Sequence, residues 1–229
     1  MNDIVVYGLT FIAFIITSFA QAYITSTYKK YSLVKNSNGM TGREVARKIL
    51  DNNGLKNVEV VSVSGYLSDH YDPSSKVVRL SKSNYDEASI SSVSVAAHEC
   101  GHAIQDKENY YFLRLRASLV PIVNFSSYAG YLAIVIGCFT GIFGIIKLGI
   151  LLECVILLFQ VVTLPVEIDA SKRALSEVKK YKYLDEKEYE SGKKVLIAAA
   201  LTYVASVASA LIQILRLVLV YGRRDKKNS

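Results

Sequence analysis

The chain has 229 residues, with 27 basic and 20 acidic side chains and a formal net charge of +7. Apolar residues make up 51% of the chain, which excludes an intrinsically disordered protein, and its odd number of cysteines, 3, does not suit a disulfide scaffold. The apolar residues are gathered in blocks long enough to cross a bilayer, which argues against an ordinary soluble domain.

Four apolar stretches of about 20 residues predict membrane-spanning helices. They are expected at about residues 4–24, 119–146, 148–166 and 195–221. We interpret the first as a retained anchor, because Asp3 stands where a signal peptide carries basic residues. Glu153 and Arg216 interrupt the last two stretches, where they pair with each other or lie near the interface. Gly137 and Gly141 predict close packing between spans of this chain.

The basic residues predict how the chain lies across the membrane. Most of them fall after the first span, before the second, and between the third and fourth, and such segments favour the cytoplasm. A short basic tail would then lie on the opposite side, against this rule: Arg223, Arg224, Lys226 and Lys227. The positive charge is interpreted as contact with anionic membrane lipid. No nucleic-acid partner is expected, because the chain has no soluble basic face or nucleic-acid motif.

A smaller region with helices and strands is predicted between the first two spans. Thr41 and Glu44 form a capping box at the start of a helix that ends near residue 51. Two β-branched runs, Val58–Val63 and Lys76–Leu80, predict a β-hairpin or small meander with a long polar connection. A helix rich in small residues follows at 89–105, where Ser and Ala allow close packing against neighbours.

An HExxH motif, His98-Glu99-Cys100-Gly101-His102, lies in the last of these helices. Residues four apart share one face of a helix, so both imidazoles can reach one zinc ion. Glu99 can then take a proton from a zinc-bound water, whose pKa the metal lowers towards 7. The structural alternative is a pair of hydrogen-bonded core histidines, but two of the chain's 3 histidines stand here. Cys100 is interpreted as a small packing side chain.

A catalytic zinc takes three protein ligands and a water, so a third ligand is needed. Glu167 is the best candidate, since Pro165 suits a helix start and the face around Glu167 is otherwise small. The small residues on that face are Ala170, Ser171 and Ala174. Asp169 is a second choice as ligand or as a partner of one, and His70 is the remaining histidine. The structural alternative for Glu167 is a favourable charge at a helix N-terminus.

His70 and Tyr71 stand in the polar connection ahead of the HExxH helix. A histidine or tyrosine outside the metal sphere can donate to the oxyanion that develops in peptide hydrolysis. We therefore include His70 as a candidate catalytic residue. The alternative is a simple turn, because the following Asp-Pro and Ser-Ser pairs are turn formers.

The segments HECGHAIQ and LPVEIDASKRAL resemble those of the YugP-type neutral zinc metallopeptidases, a bacterial membrane family. The layout is also similar to that of HtpX and the CAAX prenyl proteases, in which apolar spans separate the HExxH helix from the helix with the zinc-binding glutamate. The resemblance implies a gluzincin-like site with His98, His102 and Glu167 as zinc ligands and Glu99 as general base. The HtpX-like pattern has an acid four positions after the ligand glutamate, where this chain has Ser171.

The expected fold is mainly α and integral to the membrane, with about four transmembrane helices and a small α+β zincin-like catalytic region. Five segments are expected: an anchor at 1–27, a catalytic region at 28–118, a transmembrane hairpin at 119–166, a ligand helix at 167–194, and a hydrophobic helix with basic tail at 195–229.

The predicted function is a membrane-bound zinc endopeptidase with its active site on the cytoplasmic face. Its substrate is expected to be a membrane protein or a peptide at the bilayer surface. A non-proteolytic, zinc-stabilised scaffold or partner-binding subunit is the alternative, although structural zinc sites favour four ligands rich in Cys. A transporter is disfavoured because no inverted repeat is visible. The sequence assigns no oligomeric state.

Overall fold

A computed structural model describes the backbone of residues 3–228 and the side chains of residues 4–221. The elements in chain order are α1 (Asp3–Ser32), α2 (Gly42–Asn52), β1 (Glu59–Val63), β2 (His70–Asp72), β3 (Val77–Ser81), α3 (Lys82–Asp86), α4 (Ile90–Lys107), α5 (Tyr111–Thr140), α6 (Phe143–Lys180) and α7 (Glu186–Asn228). The chain is mainly helical with one small sheet, as predicted. The side chains of the predicted basic tail lie outside the described residues.

Two compact units divide the chain. The first contains residues 1–21, 115–164 and 202–229, and the second contains residues 22–114 and 165–201. Within the described residues, four helices are long and apolar enough to cross a membrane: Ile4–Ser32, Tyr111–Thr140, Phe143–Lys180 and Glu186–Tyr221. Four spans were predicted from the apolar blocks, and each of these helices contains the better part of one of them.

In the first unit, α5 and α6 form a hairpin that packs on glycines. A Cβ on Gly149 would lie 3.1 Å from the backbone oxygen of Gly130, and one on Gly137 would lie 3.0 Å from the backbone nitrogen of Ile146. Gly137 packs between two spans of this chain, as predicted, but the placement of Gly141 in the second span is wrong, because Gly141 (φ +73°) is in the turn between the two helices. The second predicted span therefore ends at Thr140 rather than near residue 146.

The two charged residues of the apolar spans do not pair with each other. Arg216 donates a hydrogen bond to Oγ1 of Thr10 at 3.1 Å. No ion pair joins Arg216 to Glu153 among the residues that the structure describes.

The sheet of the second unit has three strands in the order β1-β3-β2. The prediction that the two β-branched runs form a hairpin is wrong: β1 and β3 are parallel, with Glu59 opposite Val77. The hairpin is formed by β2 and β3, with His70 opposite Arg79. Parallel strands need a crossover of about a dozen residues, and the long polar connection supplies it. This connection also contains the short strand β2, which forms one edge of the sheet.

Helix α4 is the centre of the second unit. Ser89 caps the N-terminus of this helix, because its hydroxyl accepts a hydrogen bond from the Ser92 amide, and nearly all residues of the helix are buried. The apolar core around it includes fully buried side chains of α2 and β3, such as Ile49 and Leu80. Helix α2 carries the predicted capping box, with Thr41 and Glu44 bonded to each other's backbone amides.

Asp106, near the end of α4, ties that helix to the sheet. Its buried carboxylate accepts from the Tyr71 hydroxyl at 2.8 Å and from the Lys76 ammonium, and it pairs with Arg114 at 3.0 Å. Burial raises the pKa of this carboxyl, but the hydrogen bonds from Lys76 and Tyr71 outweigh burial and lower it below its ordinary value. Asp106 therefore stabilises the fold most where it is ionised in both folded and unfolded chains.

This linkage predicts how stability depends on pH. Because the pKa of Asp106 is lower in the folded chain, its contribution to stability is fully present at pH values above the ordinary aspartate pKa of 3.8. This contribution is lost as the pH falls below that value and through the lowered pKa of the folded chain. We expect Asp106→Asn to destabilise the protein near pH 7 and the difference from wild type to shrink towards pH about 3. Denaturant unfolding in detergent across this range measures it. Asp51→Asn, at an exposed carboxylate of α2, is the control, and a pH-independent difference for Asp106→Asn would contradict the assignment.

Candidate metal centre

The two histidines of the HExxH motif lie one turn apart on α4. Their ring centroids are 4.8 Å apart, and the planes of the two rings are nearly perpendicular. Both side chains are largely buried, with 13% of His98 and 10% of His102 exposed. The helix therefore presents two imidazoles at one point of its surface, as the four-residue spacing predicts.

Glu167 of α6 faces both rings. Its Oε2 atom is 3.2 Å from Nε2 of His98 and 3.6 Å from Nε2 of His102. The three ligand atoms all lie within 4.8 Å of one another. Zinc bonds of about 2.0–2.2 Å to tetrahedral ligands place the ligand atoms about 3.4 Å apart, so the distances of 3.2 and 3.6 Å from Glu167 to the two rings fit a zinc ion. Among the described residues, this is the one group of three or more His, Cys, Asp and Glu side chains with such geometry.

Glycine at position 101 allows the two ligand helices to approach. A Cβ on Gly101 would lie 2.5 Å from the backbone oxygen of Ala170, well inside van der Waals contact. Ala170 and Ala174 are fully buried on the facing side of α6, which is the small face predicted for this helix. The prediction that Pro165 starts this helix is wrong, since Pro165 lies inside the continuous α6 and Glu167 therefore does not cap a helix N-terminus. Proline is tolerated inside such spans, where neighbouring groups satisfy the freed backbone.

Each ring has a different partner on its other nitrogen. Nδ1 of His98 lies 3.2 Å from the hydroxyl of Ser171, and Nδ1 of His102 lies 3.0 Å from Oε1 of Gln105. Ser171 thus occupies the place of the acid in the HtpX-like pattern. Gln105 was not predicted from the sequence, although its position three residues after His102 puts it on the same helix face.

Asp169, the second-choice ligand, is not part of the metal group. Its carboxylate accepts from Nε2 of Gln105 at 2.9 Å and from Nε of Arg173 at 2.5 Å. It therefore contacts the site through Gln105. Of the two roles predicted for Asp169, this position fits that of a ligand's partner better than that of a ligand.

Glu99 is buried beside the two histidines, with 7% of the residue exposed. Burial raises the pKa of its carboxyl, and the positive charge of His98 and His102 opposes this rise. Burial lowers the pKa of His102, but its interaction with Glu167 outweighs burial and raises the pKa above the ordinary value.

The remaining candidates are not members of the His98–His102–Glu167 group. His70 is exposed at the start of β2, with Nδ1 2.8 Å from the carbonyl oxygen of Ser68, and it does not join the metal group. Tyr71 is held by Asp106. Cys100 is buried, and its Sγ lies 3.6 Å from the backbone oxygen of Ala46, in agreement with a packing role.

Comparison with known proteins identifies the class of protein. Residues 6–222 match the family described as "putative neutral zinc metallopeptidase", and the chain belongs to this family. It is 45% identical over 213 residues to the "putative membrane protease YugP" of Bacillus subtilis (strain 168), covering 93% of this chain and 95% of that protein. No solved structure gives a significant match.

Family membership agrees with the resemblance found in the sequence and implies zinc as the cofactor and a polypeptide as the substrate. The His98–His102–Glu167 group is a possible site for that zinc. Together with the four apolar helices, the relative indicates a membrane protein.

Removing the carboxylate of Glu167, the third member of the group, tests this site directly. We expect Glu167→Ala to lower zinc affinity by more than about 100-fold, because loss of an outer partner of a ligand already costs about 10–100-fold. The measurement is zinc per chain, by elemental analysis of detergent-purified protein, and zinc affinity by chelator competition. Glu177→Ala is the control, since Glu177 is on the same helix but accepts from Asn53. Unchanged affinity in Glu167→Ala would move the third ligand elsewhere.

Proposed function

We propose that the chain is a membrane-bound zinc endopeptidase of gluzincin type, with His98, His102 and Glu167 as zinc ligands and Glu99 as general base. The observation that carries the proposal is the buried meeting of the two HExxH imidazoles with Glu167, at separations of 3.2 and 3.6 Å that fit tetrahedral zinc. The base follows the first of these histidines in the same helix. A scaffold would need no carboxylate at that position.

The reaction proposed is hydrolysis of a peptide bond. Zinc, when bound, supplies a Lewis acid that polarises the scissile carbonyl and acidifies water. Glu99 accepts a proton from the attacking water and passes it to the leaving amine. His98 and His102 keep their lone pairs directed at the metal position, and Ser171 and Gln105 hold the two rings from behind. His70 is proposed to donate to the developing oxyanion once substrate lies along the β2 edge.

The second unit is proposed to be the zincin-like catalytic region. The five segments predicted from the sequence remain the proposed domain organisation. We place the active site on the cytoplasmic face, because the basic residues concentrate in segments that belong to this unit. Many large apolar side chains of the first unit are exposed, among them Phe11, Phe125 and Phe139, which suits contact with lipid. The proposed substrates are therefore membrane proteins or peptides at the bilayer surface.

The test is cleavage by the full-length chain in liposomes. The probe is a fluorogenic peptide attached to a single hydrophobic span, compared with the same peptide without the span. We expect faster cleavage of the anchored peptide, loss of cleavage after treatment with 1,10-phenanthroline, and recovery on addition of zinc. Absence of cleavage by the zinc-loaded protein would contradict the proposal and favour the scaffold. Equal cleavage of both peptides would contradict the membrane substrate.

A further inference from the structure

Gln105 is a polar side chain that is entirely buried between the two ligand helices. It makes three hydrogen bonds. Its Oε1 atom is 3.0 Å from Nδ1 of His102, and its Nε2 atom is 2.8 Å from the backbone oxygen of Val166 and 2.9 Å from Oδ2 of Asp169. Val166 immediately precedes Glu167, so one side chain contacts a ligand ring and the backbone beside another ligand.

The partners of Gln105 determine the orientation of its amide. A backbone carbonyl and a carboxylate only accept hydrogen bonds, so the NH₂ group must face Val166 and Asp169. The amide oxygen then faces His102 and also only accepts. Nδ1 of His102 must therefore carry the proton, and in the neutral ring the lone pair is on Nε2, which faces Glu167.

Without this constraint the proton would favour the wrong nitrogen. Oε2 of Glu167 is 3.6 Å from Nε2 of His102, and in the metal-free site this carboxylate attracts a proton to that atom. A protonated Nε2 has no lone pair for a metal. The equivalent partner of His98 is the Ser171 hydroxyl, which can either donate or accept and therefore does not fix a tautomer. Gln105 is thus the partner that selects the form of a ligand ring.

Asp169, the partner of Gln105, is itself held in place by Arg173. Nε of Arg173 donates to the same Oδ2 atom of Asp169 at 2.5 Å, and its NH1 donates to Glu108 at 2.6 Å. The guanidinium compensates the charge of Asp169, so the carboxylate stays available as acceptor for Gln105. Asp169 is thus connected to His102 through Gln105.

We propose that Gln105 is a positioning residue that fixes the proton of His102 on Nδ1 and at the same time sets α6 at Glu167. The inference deepens the proposed function and rests on its zinc site. The partner of Nδ1 of His102 is then the amide of Gln105, which Asp169 holds, and not a carboxylate that contacts the ring directly.

The first test is zinc affinity of the full-length protein in detergent, measured by chelator competition. Gln105→Met keeps the length and most of the volume of the side chain but removes its hydrogen bonds. We expect it to bind zinc about 10–100-fold more weakly than wild type. The double variant Gln105→Glu with Asp169→Asn keeps an acceptor for His102 and gives position 169 an amide that can donate to residue 105, while the hydrogen bond to the backbone oxygen of Val166 is lost. It is expected to bind zinc more tightly than Gln105→Met.

The second test observes the proton itself. The chain has 3 histidines, so ¹⁵N-histidine labelling gives three ring systems, with exposed His70 as a reference. In metal-free wild type at alkaline pH, we expect His102 in the Nδ1–H form. Gln105→Met should shift it towards Nε2–H, whereas Ser171→Ala should change the signals of His98 and leave those of His102 in place.

A purely structural role for Gln105 would lower thermal stability but leave both zinc affinity and the His102 tautomer unchanged, and this result would overturn the inference. Wild-type protein with no zinc affinity would overturn the inference and the proposed function together. Zinc binding and tautomer that respond as expected, in a protein that cleaves neither peptide, would overturn the proposed function alone.

Discussion

Replacing Glu99 with Gln is expected to lower the rate of peptide hydrolysis by about 10²–10⁴-fold, the range that general acid–base catalysis contributes. The amide cannot accept a proton from the attacking water, but it has nearly the same shape as the carboxylate. Glu99 is not a member of the His98–His102–Glu167 group, so zinc content should remain that of wild type. The fold should also persist, because burial already raises the pKa of Glu99 and disfavours its charge.

Zinc and activity must be measured on the same preparation. Elemental analysis gives zinc per chain, the liposome assay gives cleavage, and thermal unfolding reports the fold. Glu87→Gln is the matched control, since Glu87 is exposed and directly follows the short helix α3. Cleavage retained by a pure Glu99→Gln preparation would eliminate Glu99 as the base. Loss of zinc together with activity would instead assign it a role in holding the metal.

Replacing Gly101 with Ala is expected to remove most of the bound zinc without altering a ligand. The new methyl group would lie 2.5 Å from the backbone oxygen of Ala170 and 3.1 Å from its carbonyl carbon. These are backbone atoms, so the contact is relieved only if α6 moves away from α4. Glu167 lies one turn before Ala170 and would move with it, away from His98 and His102. We expect a loss of about 1–3 kcal/mol in the free energy of unfolding, as for other overpacked sites.

Two further variants separate this effect from helix propensity and from side-chain crowding. Gly8→Ala places a methyl group where no atom lies within 4 Å, and it should be neutral or stabilising by about 0.5–1 kcal/mol. Adding Ala170→Gly to Gly101→Ala should not restore zinc, because the clash is with the backbone. Zinc affinity and stability equal to wild type in Gly101→Ala would show that the two helices are not held at this distance.

Local features of the chain were predicted where one segment of sequence carries the whole signal. The capping box of Thr41 and Glu44 starts α2 as expected. The apolar blocks became long helices because a stretch of about 20 apolar residues has few other ways to satisfy its backbone in a membrane. The choice of Glu167 over Asp169 and His70 used the small face of its helix, and Glu167 is the carboxylate that meets the histidines.

The errors occur where a distant partner decides the structure. Apolar composition did not reveal the turn at Gly141, because a tight turn can lie within an apolar run when glycine adopts a positive φ. The direction of β1 relative to β3 depends on the path of the connection, and the two runs of β-branched residues carry no information about that path. Pro165 signalled a helix start by local preference, but the apolar span continues through it.

The sequence by itself determined the residues on which the proposed chemistry rests: an HExxH motif, a carboxylate on a later helix, four apolar blocks, and membership of a zinc metallopeptidase family. These depend on residue types and on spacing within single helices. Only the tertiary structure decided how the site is assembled, namely which atoms face Glu167, why position 101 has no side chain, and that Gln105 and Ser171 hold the rings. Apart from the contact of Gln105 with His102 one turn away, these contacts join residues more than 60 positions apart. They stay hidden in the sequence because helix periodicity relates neighbours one or two turns away, whereas packing between helices follows from the fold as a whole.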